Sequence, residues 1–344
     1  MFNPENILRQ NIRALKAYSS ARDEADSEGK VLLDANENRL SLSRGNKFAS
    51  YPDPQSRALR AVIAGKYNLS PENVFVGNGS DEAIDLLIRC FCNPGQDSVL
   101  IFTPTYGMYE FCAGLNNVEI QRVSLDSEFQ IPFDWDSRVN WDNLKIIFVC
   151  NPNNPSGNLI DPGPLLQKIK DKSVLLVMDE AYMEFSSRVN SPDPEFLNGQ
   201  LVVLRTLSKF YGMAGLRIGY ALSDPRLTAV LLKAKPPYNI NAFSQQEALR
   251  LLQESNSNKE EFISEREFMY TQLRQVPEVV LVYPSEANFF LVRFRDPAKV
   301  YRNLLGKGFL VRDRSKVPGC EGCLRITLGT PDENRNLLKE LKEI

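Results

Sequence analysis

One pattern constrains this chain more than any other. From about Asn73 to Leu222, short Val- and Ile-rich runs alternate with helical periodicity or loops. The runs at 74–76, 98–102, 118–123, 145–150, 174–178, 202–204 and 218–222 read as strands. The segments 56–67, 81–92, 106–114, 164–170 and 225–234 read as helices. Apolar runs alternating with helices predict an α/β fold with a mostly parallel central sheet.

Beyond Pro236-Pro237 the character changes. Residues 243–272 read as one long helix, with a break near Ser255-Asn256-Ser257. Strand-like segments follow at 279–282, 288–294, 309–312 and 324–328, with helices at 297–305 and 334–341. This predicts a second, smaller α+β domain. At the other end, Asn3-Pro4-Glu5 has the order of a capping residue, a Pro at the first helical position and a first-turn acid, and Ile7, Leu8, Ile12 and Leu15 would give that helix an apolar face. The expected division is an N-terminal helix and arm over 1–30, a small domain from 31–45 and 240–344, and a large domain over 46–239.

Composition narrows the chemistry. The 344 residues include no histidine. Ser-His-Asp and Cys-His catalysis, His-ligated zinc and His-ligated haem are therefore excluded. Proton transfer must fall to Lys, Asp, Glu, Tyr or Cys. With 41 basic and 43 acidic side chains the net charge of −2 leaves no footprint for nucleic acid. No apolar run is long enough to span a bilayer and the first residues lack a signal-peptide core, so a cytoplasmic enzyme is expected. The six cysteines read as reduced thiols, and Cys320-x-x-Cys323 reads as a turn into a strand rather than a redox or metal site.

In open α/β sheets, ligands bind at the carboxyl ends of strands, and several chemically suggestive residues of this chain fall there. Gly77-Asn78-Gly79-Ser80-Asp81 follows a strand and opens a helix, where backbone N–H groups can meet an anion. Asn151-Pro152-Asn153-Asn154-Pro155-Ser156-Gly157 follows another strand. Asp179 ends the most apolar run, and a carboxylate there needs a cationic partner. Ser208-Lys209 ends a further run, with Arg217 downstream. A lysine at a buried strand end can have a depressed pKa and act as a nucleophile. Pyridoxal phosphate needs such a lysine, a carboxylate for its ring nitrogen, hydrogen bonds to its ring oxygen and a phosphate cradle. Lys209, Asp179, Asn154 with Tyr182, and the glycine turn with Ser208 and Arg217 can supply these in turn.

These motifs, with Pro104-Thr105-Tyr106 and Asp179-Glu180-Ala181-Tyr182, occur in an order that resembles the fold-type I pyridoxal-phosphate aminotransferases. Within that fold the chain is most similar to the histidinol-phosphate aminotransferase family, through Tyr18-Ser19-Ser20-Ala21-Arg22, Leu33-Asp34-Ala35-Asn36-Glu37-Asn38, Tyr51-Pro52-Asp53-Pro54, Pro104-Thr105-Tyr106-Gly107-Met108-Tyr109, Val311-Arg312-Asp313 and Cys323-Leu324-Arg325-Ile326-Thr327. The resemblance implies that Lys209 carries the cofactor and moves the proton. It implies that Asp179 pairs with the ring nitrogen, that Tyr182 and Asn154 bond the ring oxygen and that Tyr106 stacks on the ring. Ser80, Asp81, Thr206, Ser208 and Arg217 would hold the phosphate, and Tyr51 would reach the cofactor of a second subunit in a homodimer.

On the substrate side the resemblance implies Arg325 and Arg312, whose forked donors suit a phosphate, together with Tyr18 and Asn36. The chain departs from the family in having Asn36-Glu37-Asn38-Arg39 for Asn-Glu-Asn-Pro and Pro155-Ser156-Gly157 for Pro-Thr-Gly. The implied reaction exchanges an amino group between glutamate/2-oxoglutarate and histidinol phosphate/imidazole-acetol phosphate in histidine biosynthesis, by ping-pong half-reactions and with no metal. The rival readings are an aromatic amino acid aminotransferase, a threonine-phosphate decarboxylase of the same fold, and a non-catalytic binding module.

Overall fold

The computed structural model describes residues 3–16, 31, 33–38, 40, 48–188, 197, 199–254 and 258–344. Seven strands, β1 (Val74–Asn78), β2 (Ser98–Thr103), β3 (Glu119–Ser124), β4 (Leu144–Cys150), β5 (Leu175–Asp179), β6 (Leu201–Thr206) and β7 (Ile218–Ser223), form one sheet in the order β1-β7-β6-β5-β4-β2-β3. Strand β7 is antiparallel to β1 and β6, and the other neighbours are parallel. Every residue of β5, β6 and β7 is buried, because helices cover both sheet faces. The helix Ser80–Phe91 shows why: Ala83, Ile84, Leu87, Ile88 and Phe91 recur at helical spacing and all are buried in one apolar cluster. Each such large apolar side chain contributes roughly 1.5–3 kcal/mol by leaving water. The register sets Cys150 opposite Asp179 and Asp179 opposite Leu204, so the carboxyl ends of β4, β5 and β6 open together.

A second sheet combines β8 (Val279–Val282), β9 (Phe289–Phe294), β10 (Arg312–Asp313) and β11 (Cys323–Thr327), antiparallel throughout, in the order β10-β11-β9-β8. Alternation divides its faces. Phe290, Val292, Phe294, Leu324 and Ile326 join a core with Met269, Leu273, Val300, Leu304, Leu337 and Leu341 from three helices. The opposite face turns toward the large sheet: Leu291 and Cys323 pack with Phe129, and Phe289 packs with Tyr182 and Phe185.

The helical segment at 243–272, expected to break near 255–257, is two helices, Ala242–Glu254 and Lys259–Leu273, and residues 255–257 themselves lie outside the described residues. Two expectations need correction. At the N-terminus, Asn3 does accept from the Glu5 N–H, but the turn it caps is a short 3-10 helix, Pro4–Asn6, and the α-helix is only Gln10–Ala14. Docking interrupts it: Ile7 and Leu8 enter the core, and the Arg9 N–H bonds the carbonyl of Cys90 at 3.0 Å. The strand expected at 309–312 shrinks to β10, since the Phe309 N–H satisfies the carbonyl of Leu304 at the end of the helix Pro297–Gly306. Among the described residues no helix is long and apolar enough to cross a membrane.

Candidate active site

The carboxyl edge of the large sheet carries a cavity of about 500 Å³ lined by Gly79, Ser80, Asp81, Tyr106, Cys150, Asp179, Ala181, Tyr182, Thr206, Ser208, Lys209 and Arg217. Nine of the sequence-derived residues thus meet at one place although they span more than a hundred positions of chain.

One wall is an anion cradle. Gly79, with φ +78°, turns the chain from β1 into the helix Ser80–Phe91. No side chain caps that helix, so its first N–H groups stay open at the positive end of the helix dipole. A side chain at Gly79 would strike the Arg217 guanidinium at 2.7 Å, and one at Gly219 would overlap the Ser80 nitrogen. Gly219 lets backbone come close, and Gly79 supplies the positive φ and leaves room for the Arg217 guanidinium. Arg217 stands 3.7 Å from Asp81, and Tyr106 donates to the same carboxylate at 3.2 Å. Thr206 accepts from the Ser208 N–H at 3.0 Å, holding the turn before Lys209. The Ser208 hydroxyl is buried and has no hydrogen-bond partner.

The floor holds Asp179. It is 2% exposed, accepts from the Tyr109 hydroxyl at 2.7 Å and the Ala181 N–H at 3.2 Å, and makes no salt bridge among the described residues. Burial pushes its pKa up to about 6, with the Tyr109 and Ala181 hydrogen bonds opposing that shift. Below it, Arg205 clamps the following turn, donating to Glu180 at 2.9 Å and to Glu184 at 3.0 Å. Lys209 sits at the mouth, its Nζ 5.7 Å from the Tyr182 ring centroid. Removal of water around the ammonium lowers its pKa, Arg325 and Arg217 lower it further, and Asp81 and Asp179 oppose them.

The remaining residues are placed as follows. Asn154 donates to the Tyr182 hydroxyl at 3.4 Å and accepts from Arg325 at 2.5 Å, which joins the β4 loop to the small sheet. Neighbouring Asn153 bolts that loop to the one after β2, through the carbonyl of Pro104 and the Thr105 hydroxyl. Arg325 lies over the Phe289 ring at 5.2 Å. Arg312 is exposed and stands opposite Arg325 across the β10–β11 pair. Tyr51 and Asn36 do not reach the Lys209 cavity of their own chain. They line a separate hollow with Phe48, Tyr238 and Phe243, in which Tyr51 is stacked on Tyr238 at 4.4 Å. Tyr18 lies outside the described residues.

Sequence reasoning missed two groups. Tyr109 is the hydrogen-bond donor to Asp179, and its signal was an aromatic three positions after Tyr106 on a helix. Arg314 shares a sheet face with Arg312, and its signal was the alternation Arg312-Asp313-Arg314.

The class of protein follows from this combination of sheet, strand-end lysine and buried aspartate. The chain belongs to the class I and II aminotransferases, whose family model matches residues 22–341. More narrowly, it is 43% identical over 350 residues to the histidinol-phosphate aminotransferase of Parabacteroides distasonis, covering 99% of this chain and 98% of that one. Among solved structures, the histidinol-phosphate aminotransferase of Clostridium acetobutylicum superposes with a TM-score of 0.78 at 27% identity, over 86% of this chain and 90% of that one. The Sinorhizobium meliloti histidinol-phosphate aminotransferase, solved in complex with pyridoxal-5'-phosphate, shares the fold with a TM-score of 0.76 at 20% identity, over 97% and 96% of the two chains.

Pyridoxal phosphate is the cofactor of this family, and the residues present fit it. A buried anion with no cationic partner suits a protonated ring nitrogen. An orphaned hydroxyl beside an uncapped helix start suits a phosphate. A lysine with a lowered pKa opens between them.

Proposed function

We propose that this chain transfers the amino group of glutamate to imidazole-acetol phosphate, giving 2-oxoglutarate and histidinol phosphate in histidine biosynthesis. The observation that carries the reading is Arg325. It is held by Asn154, which bonds the Tyr182 hydroxyl of the Lys209 cavity, with a second guanidinium opposite it, in a chain whose 43%-identical relative bears that enzyme's name. Two forked donors match a dianionic phosphate better than a single carboxylate.

Pyridoxal phosphate, when bound, supplies the electron sink that lets a substrate Cα give up its proton. The protein supplies the rest. Lys209 Nζ, whose pKa is lowered by burial and by Arg325 and Arg217, takes the proton from the substrate Cα and returns it on the other side of the transfer. Asp179 holds a proton on the ring nitrogen. Tyr182 and Asn154 orient the ring through its oxygen, and Tyr106 covers one face. The Ser80 and Asp81 N–H groups, Thr206, Ser208 and Arg217 anchor the cofactor phosphate. Arg325 and Arg312, aided by Tyr18 and Asn36, hold the substrate. Tyr51 reaches the cofactor of a second copy in a homodimer, which accords with its exposure and its distance from the Lys209 cavity. We place the enzyme in the cytoplasm.

Steady-state kinetics with histidinol phosphate and phenylalanine as amino donors test the reading. It expects parallel ping-pong lines and a kcat/KM at least about 100-fold higher for histidinol phosphate, the size of a few charge-assisted hydrogen bonds. Phenylalanine as the better donor would make this an aromatic aminotransferase, and carbon dioxide release from threonine phosphate would make it a decarboxylase.

A further inference from the structure

The small sheet turns more positive charge toward the active site than one carboxylate or two arginines explain. Arg312 and Arg325 are paired directly across β10 and β11. Arg314 continues that register, because its N–H bonds the carbonyl of Cys323 at 3.0 Å. Alternation then sets Arg312, Arg314 and Arg325 on one face of the sheet. Like charges opposite each other destabilise a sheet, so this placement costs stability. Among the described residues no carboxylate pairs with these arginines: Asp313 alternates to the other face and accepts from the Ser315 N–H at 2.8 Å.

The guanidiniums are also left unsatisfied. The Nε atoms of Arg314 and Arg325 are both buried without a hydrogen-bond partner. The Arg314 side chain makes no hydrogen bond or ion pair among the described residues. Its pKa is lowered by burial first and then by Arg325 and Arg312. Arg293, on the same face, also has a buried Nε without a partner, but it donates to the Tyr283 hydroxyl at 2.8 Å as Arg325 does to Asn154, which leaves Arg314 as the guanidinium with no bond of its own among the described residues. On that face its register partner Cys323 packs with Leu291 and Phe129, so Arg314 is set on the side of the small sheet that meets the large one.

We propose that Arg314 is a third phosphate-binding guanidinium, and that it is the residue by which this site prefers a phosphate monoester to a carboxylate. This rests on the phosphorylated-substrate reading above. A carboxylate is satisfied by one arginine fork, whereas a phosphate monoester near neutral pH carries a charge of about −1.5 to −2 and three strong acceptor oxygens. The third fork therefore adds to phosphate binding and little to glutamate.

The test uses the holoenzyme and Arg314→Gln and Arg314→Lys. Competitive inhibition by glycerol 3-phosphate, which has no amino group, reads the phosphate site alone. The kcat/KM ratio of histidinol phosphate over histidinol reads it in turnover. In Arg314→Gln the inhibition constant should rise about 10- to 100-fold, as for loss of a charge-assisted hydrogen bond. The donor ratio should fall by a similar factor, with a loss for glutamate at least fivefold smaller, and Arg314→Lys should lie between. An unchanged inhibition constant, a wild type that glycerol 3-phosphate does not inhibit, or losses equal for glutamate and phosphate overturns the assignment. If the wild type shows no preference for histidinol phosphate over histidinol, but glycerol 3-phosphate still inhibits in an Arg314-dependent way, the functional reading fails and the Arg314 assignment stands.

Discussion

The floor and the rim of the Lys209 cavity come from different sheets and differ in how much of their polarity the protein satisfies for itself. On the floor, Asp179 has two hydrogen-bond donors, Asp81 has Arg217 and Tyr106, and Arg205 locks Glu180 and Glu184 beneath them. The rim has three arginines on one face, and the Nε atoms of two of them are buried without partners. The difference matches residence time. A cofactor that stays can be met by a nearly complete shell, with only the groups that touch it left open. On the proposed reading, a substrate that must leave every cycle is met by guanidiniums whose hydrogen bonding the protein leaves incomplete, so that each arriving anion would supply what is missing.

The strongest way to break this comparison is Lys209→Ala. Turnover should fall by at least about 10⁴-fold, as for loss of a residue that acts directly in proton transfer, and the visible band of the lysine-linked cofactor should vanish. Among the described residues the Lys209 side chain makes no hydrogen bond, so the unfolding free energy of the cofactor-free protein should move by less than about 0.5 kcal/mol. A variant that keeps turnover removes Lys209 from the chemistry.

Asp179→Asn tests the floor in the cofactor-free protein. The aspartate's pKa is raised in the folded state, so the folded form binds the extra proton and the group's penalty grows as pH rises from about 4 to about 6. At pH 8 the cofactor-free Asn variant should be more stable than wild type, by up to about 3 kcal/mol, whereas the cofactor-loaded variant should lose the advantage. Urea unfolding at pH 5 and pH 8 measures both, and an Asn variant that is less stable at pH 8 refutes the idea of an unmatched anion.

The rim should respond in the opposite sense. In Arg325→Ala, kcat/KM for histidinol phosphate should drop about 100-fold. Folding stability should change by less than about 1 kcal/mol, since relief of like-charge repulsion offsets the lost bond to Asn154. A stability loss as steep as that of breaking a buried ion pair would show that the rim is structural after all.

Much of the floor was legible because its residues sit in short runs of chain. Gly79-Ser80-Asp81, Asp179 and Ser208-Lys209 each close a strand, and strand ends are where open α/β sheets bind ligands. Tyr109 was not legible, since its hydroxyl meets Asp179 from a helix seventy residues earlier. The strand at 309–312 was misjudged in extent, because helix termination takes residues a strand would otherwise use.

The sequence by itself determined the architecture of the large sheet, the ordered motifs and the absence of histidine, because burial on both faces of a strand and turns at strand ends leave local marks. Only the tertiary structure decided that Arg325 meets Asn154, that Arg312 and Arg314 share a face with Arg325, and that Tyr51 lies apart from the Lys209 cavity. Those outcomes depend on strand register and on how the small sheet leans against the Asp179–Phe185 turn. Neither leaves a local pattern in the chain, because the energies that set them come from contacts between distant residues, such as Arg325 and Asn154, 171 positions apart.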